Sequence, residues 1–111
     1  MLLLPMAKRT LIDVQSPLGY RVVLTRDRWR EIVRFKHPAV ARYESQIREC
    51  LERPDIVRAS SKDPDVHVYY LQVGRTYLCV VAAPQNSEER YFVVTAYSTK
   101  RIKQGDDLWT K

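Results

Sequence analysis

The sequence predicts an α+β fold: two helices packed on a four-stranded antiparallel sheet, preceded by a short N-terminal β-hairpin. Three observations carry this expectation. Apolar residues recur at helical spacing between residues 26 and 52, and the period then changes to two from Ile56 onward. The strand-like runs of that second half are joined by connections too short for crossover helices. Consecutive strands joined in this way form an antiparallel meander, and helices gathered in one stretch of chain cover one of its faces.

Residues 9–15 and 20–24 are short β-like runs. The Ser16-Pro17-Leu18-Gly19 stretch between them puts Pro and Gly where a type I turn accepts them. Thr25 is a natural N-cap for a helix over 26–36, in which Trp29, Ile32, Val33 and Lys36 follow the i, i+3, i+4, i+7 spacing. His37-Pro38 ends that helix, because proline disfavours helical geometry in the residue before it, and Pro38 suits the first position of the next. The second helix spans 39–52 with Val40, Tyr43, Ile47, Cys50 and Leu51 on one stripe. Arg53-Pro54-Asp55 closes it.

Strands follow at 56–60, 66–73, 76–83 and 90–98, with Gly74-Arg75 as a tight hairpin and 84–89 as a longer loop. In the last strand, strict alternation sends Phe92, Val94 and Ala96 toward the helices, and Tyr91, Val93, Thr95 and Tyr97 to the opposite face. Residues 99–111 read as a basic tail. The 111 residues suffice for one domain, with its centre over about 20–98. An apolar start at Leu2–Leu4 is suited to adding a strand or meeting another copy. Pro5 cuts it short of a signal segment and no run reaches membrane-spanning length, so a cytoplasmic protein without a membrane partner is expected.

Lys and Arg number 19 against 13 Asp and Glu, for a formal charge of +6. The excess is uneven: residues 1–36 hold eight basic and three acidic side chains, whereas 37–75 are balanced. Arg26, Arg30 and Arg34 repeat every fourth position on one helix face. Such a chain suits a polyanion or an acidic protein. Cys50 and Cys79, with only His37 and His67 besides, make no zinc spacing, and both fall on apolar patterns as buried thiols.

Nucleophile elbows, phosphate-cradling glycine loops and H-E-x-x-H are all missing from the sequence. What remains is Arg, Lys, Tyr, Thr, Ser and one histidine at a helix break. That mix suits phosphodiester transfer in RNA, where the 2′-hydroxyl is already the nucleophile and the protein need supply only a base, an acid and cations. Neither a cofactor nor a metal is expected.

The Arg34-Phe35-Lys36-His37-Pro38 junction, the Arg53-Pro54-Asp55-Ile56-Val57 lead into the sheet and Tyr69-Tyr70 form an ordered series. It continues with Val93-Val94-Thr95-Ala96-Tyr97, then Ile102-Lys103-Gln104-Gly105 and Trp109. Together they resemble the barnase–EndoU–colicin–RelE superfamily of small nucleases, in its phage-type branch, from about Leu24 to the C-terminus. The resemblance implies metal-independent RNA cleavage on the open face of the sheet, often as a toxin held by an antitoxin. His37, Thr95 and Tyr97 match its motif positions.

From the residues themselves, Arg58 joins these three as a catalytic candidate, because an Arg interrupts an otherwise apolar strand start. Tyr70, Ser98, Lys100, Arg101, Arg30 and Arg34 are substrate-binding candidates. The expected partners are RNA and an acidic antitoxin or inhibitor. A non-catalytic module that binds RNA or protein on the same sheet is the alternative.

Overall fold

A computed structural model describes residues 9–85 and 90–111; Leu2–Leu4 and most of the 84–89 loop lie outside the described residues. Strands β1 (Thr10–Gln15) and β2 (Arg21–Thr25) form the expected hairpin. Its turn is closed by Gly19 N–H donating to Ser16 C=O at 3.0 Å, with Gly19 at φ 96°, a conformation that glycine alone adopts freely. Thr25 Oγ1 accepts from Arg28 N–H at 3.2 Å and caps α1 (Arg26–Glu31).

The helix expected over 26–36 changes winding halfway. Residues Ile32–Lys36 form a π turn, closed by His37 N–H donating to Ile32 C=O at 2.8 Å. Pro38 then opens a 3₁₀ segment, Pro38–Tyr43, which runs into α2 (Glu44–Glu52). The expected stripe holds: Val40, Ile47, Cys50 and Leu51 are buried and Tyr43 packs beside them.

Strands β3 (Ile56–Ala59), β4 (His67–Val73), β5 (Thr76–Pro84) and β6 (Arg90–Thr99) are the antiparallel meander. The sheet is larger than the four strands expected, and it is mixed. Its order is β1-β2-β6-β5-β4-β3-β7, with β2 parallel to β6. The N-terminal hairpin is therefore part of the sheet, because pairing β2 with Arg90–Phe92 places Val22 and Leu24 on the same buried face as Tyr91. The segment read as a tail returns to the other edge: β7 (Asp107–Thr110) pairs with β3. The result is an α+β fold of two helices and one seven-stranded, mostly antiparallel sheet.

A second correction concerns β6. Cα pairing runs Val81 with Thr95 but Ala82 with Val93, so Val94 is an extra residue in a β-bulge. The bulge reverses parity, and Tyr91, Val93 and Ala96 all face the core, with Phe92 on the other side. Strict alternation had placed Tyr91 and Val93 outside and Phe92 inside. The core sits between this face (Val57, Tyr69, Val80, Ala96) and α2. Burial of each large aliphatic side chain there contributes roughly 1.5–3 kcal/mol. Among the described residues, no helix is long and apolar enough to cross a membrane.

Candidate active site

The register of the meander aligns two rows of side chains on the sheet face opposite the core. One row is Ile56, Tyr70, Cys79 and Tyr97; the next is Arg58, Val68, Val81 and Thr95. Thr95 and Tyr97 share this face because both lie beyond the bulge. Three of the four residues singled out as catalytic, Arg58, Thr95 and Tyr97, therefore share this face, with Arg58 three strands from the other two.

The chain leaving β6 at Thr99 must pass β5, β4 and β3 to reach β7. Four strand spacings amount to about 19 Å, and the eight steps from Thr99 to Asp107 extend to about 26–29 Å at most. Residues 100–106 form a strap across the sheet, with Lys103 at mid-span. Lys103 N–H donates to Tyr70 Oη at 3.1 Å, and the Lys103 ammonium stands 5.2 Å from the centre of the Tyr97 ring, in cation–π range. Gly105 lets the strap lie against β3, since a Cβ there would run into the Ala59 carbonyl.

Arg58 holds the strap down. Its Nε donates to Asp107 Oδ1 at 2.7 Å and its Nη1 to the Lys103 carbonyl at 2.9 Å. The guanidinium singled out as a catalytic candidate is thus engaged in building the site. Beneath the strap lies a hollow of about 160 Å³, walled by Arg58, Ser60, Lys62, Val68, Tyr70 and Lys103 among others. Its three cations and its size fit an anion such as a phosphate group. A larger hollow of about 440 Å³, near Ile12, Arg42, Ser45 and Arg48, is lined by no His, Tyr or Lys.

His37 completes the cluster from the helical side. The residue before a proline avoids helical geometry, and His37 takes φ −144°, ψ 75°. Its exposed ring lies 5.2 Å from that of Tyr97, inclined by 39°. Burial, with the Cys79 thiol beside it, pushes the Tyr97 hydroxyl well above its ordinary range, and burial also raises Tyr70. Both phenols therefore stay protonated near neutral pH. Burial lifts the Cys79 thiol to about 11, against the pull of the Tyr97 hydroxyl, so it is no nucleophile at neutral pH. Thr95 Oγ1 is buried and finds no hydrogen-bond partner among the described residues.

The other candidates are dispersed. Ser98 pairs with Leu78 on the helix-side parity, and Lys100 and Arg101 are exposed at the start of the strap. Arg30 approaches Asp27 at 3.6 Å on α1, and Arg34 is exposed on the π turn. Lys103, Lys62 and Ser60 were not among the sequence candidates. The one local signal for Lys103 is its place two residues before Gly105, which marks close backbone approach.

His67, at the start of β4, is half-buried on the core face. Leu18 N–H donates to Ser16 Oγ (3.0 Å), and Ser16 Oγ bonds Tyr69 Oη (2.5 Å). Tyr69 Oη donates to Tyr20 Oη (2.6 Å), which meets His67 Nδ1 at 2.7 Å. Burial raises Tyr69 to about 12 and lowers His67 against the opposing field of Asp65.

Among the described residues, no group of three or more His, Cys, Asp or Glu side chains is placed to hold a metal ion. Compared with protein-family models, curated proteins and solved structures, the chain matches none.

Proposed function

We propose that this protein is a small endoribonuclease that cuts RNA without a metal ion. The 2′-hydroxyl attacks the adjoining phosphate, leaving a 2′,3′-cyclic phosphate and a free 5′-hydroxyl. The observation that carries this reading is the meeting of an imidazole, a protonated phenol and an ammonium around one point, His37 and Lys103 each about 5.2 Å from the Tyr97 ring. His37 takes the 2′-hydroxyl proton as the new P–O bond forms. Tyr97, kept neutral by burial, gives its proton to the departing 5′-oxygen. Lys103, beside the Tyr97 ring, offsets the charge that builds on the phosphorane.

Arg58 positions Lys103 by holding the strap. Thr95 supplies a hydroxyl on the same face that no described residue satisfies. The likeness of the His37-Pro38 junction and the Val93–Tyr97 segment to barnase–EndoU–colicin–RelE nucleases supports the same reading. On that reading the protein is toxin-like and cytoplasmic, and an acidic antitoxin would cover the basic face.

The test is incubation of labelled RNA with the protein in excess EDTA, beside His37→Ala and a substrate with deoxyribose at every position. Cleavage should persist in EDTA, fall by roughly two to four orders of magnitude in the variant, and vanish on the deoxy strand. Undiminished cleavage by His37→Ala would remove His37 from the mechanism. RNA that binds with a steep salt dependence but stays intact would make this a binding module.

A further inference from the structure

We propose that Phe35 is a stacking platform for an unpaired nucleobase, and that the Arg34-Phe35-Lys36 face restricts the site to single-stranded RNA. The identity of the polymer rests on the ribonuclease reading; the platform rests on four features of the π turn.

Phe35 is 76% exposed, far more than any other large hydrophobic residue described. An exposed benzyl group forgoes the burial that stabilises a fold, so folding does not account for its place. Its exposure follows from the backbone. In a continuous α-helix Phe35 would flank the stripe formed by Trp29, Ile32 and Val33. The Ile32–Lys36 turn winds more widely, advancing less than 100° per residue, and this carries Phe35 round to the solvent side. Single π turns of this kind concentrate at functional sites.

The chemistry around the ring is one-sided. Arg34 and Lys36 are exposed and make no ion pair among the described residues. The nearest acid on the segment, Glu31, is taken by Arg28 at 2.8 Å. An aromatic face between two uncommitted cations matches a base flanked by its phosphates. A second copy of this chain would bring like charges together, and a lone ring offers it little apolar area.

Position is the fourth feature. His37 lies two residues on, within about 7 Å of chain, and its ring stands beside Tyr97 and, across it, Lys103. A base on Phe35 would therefore place a neighbouring phosphate close to these three groups. A base held in a duplex already has its faces covered by its neighbours and cannot use the ring.

The test uses a labelled ten-nucleotide RNA, 2′-O-methylated throughout so that it cannot be cut, and reads anisotropy at one salt concentration. Phe35→Ala and Phe35→Leu should each weaken binding by about tenfold to a hundredfold, and Phe35→Trp should preserve it. The same oligonucleotide in a duplex should bind weakly and equally to all four proteins. Phe35 is exposed, so these variants keep the fold.

Binding by Phe35→Leu as tight as the parent, preference for the duplex, or no binding by any of the four would overturn the proposal. So would self-association of the parent that Phe35→Ala abolishes, which would make the ring a contact between copies. The assay is blind to cleavage, so the platform and the ribonuclease reading can fail separately. Native RNA that is cut while Phe35→Leu binds normally removes the platform alone. Discriminating binding with no cleavage removes the ribonuclease alone.

Discussion

Thr95 illustrates how a single side chain separates stability from use. Its hydroxyl is buried on the open face with no hydrogen-bond partner among the described residues, an arrangement that costs a fold about 1–3 kcal/mol. Thr95→Val keeps the shape and removes the unsatisfied group. We expect the urea midpoint to stay level or rise, equivalent to up to about 1 kcal/mol, while the cleavage rate falls. A marked loss of stability would mean that the hydroxyl is satisfied in the folded chain. Arg58 shows the opposite division of labour. An Arg in an apolar strand start reads as a charge seeking a partner, and its partners, Asp107 and the Lys103 carbonyl, lie 45 residues or more away. Nothing near residue 58 in the chain announces them.

At the scale of elements, the Ser16–Tyr69–Tyr20–His67 series ties the N-terminal hairpin to β4 through polar groups inside the core. Tyr91 stacks on Tyr20 at 3.8 Å and on His67 at 4.9 Å, so these rings enclose the end of the series. A neutral His67 Nδ1 accepts the Tyr20 proton; a protonated ring cannot. Burial lowers the His67 pKa from 6.5 in the folded chain, so just below pH 6.5 the unfolded chain binds more protons. The stabilisation from a neutral His67 is complete above about 6.5 and declines as pH falls from there toward the folded value. Unfolding midpoints between pH 7.5 and 5.5 should therefore fall more steeply for the parent than for His67→Gln. Parallel curves would mean that the ring titrates alike in both states.

The molecule extends 49 × 29 × 23 Å, with α2 packed over β1, β4 and β5. Its cations are not evenly used. Arg21, Arg28 and Arg58 are paired closely to acids, whereas Arg34, Lys36 and Lys103 are not. Each phosphate neutralised on a single strand contributes about −0.7 to the slope of log K against log salt. Three such contacts predict a slope of about −2 for the uncleavable RNA, reduced by about 0.7 in Lys103→Gln. Lys103→Gln with an unchanged slope would place the phosphate elsewhere.

Local patterning determined much of this protein. The two helical segments, the break at His37-Pro38, the hairpin turns and six of the seven described strands are written in spacing and turn residues, because helix, strand and turn preferences act over a few neighbours. The grouping of Arg58, Tyr70, Thr95 and Tyr97 on one face was likewise within reach, since strand parity and a meander bring them together.

Tertiary structure alone decided the rest. The bulge at Val94 reset which residues of β6 face the core, and it appears only against the register of β5. The parallel pairing of β2 with β6 and the return of β7 to β3 join segments distant in sequence, where burial and backbone hydrogen bonding outweigh local preference. Lys103 reached the site for the same reason: its place over Tyr97 is set by the distance the strap must span, a property of the assembled sheet.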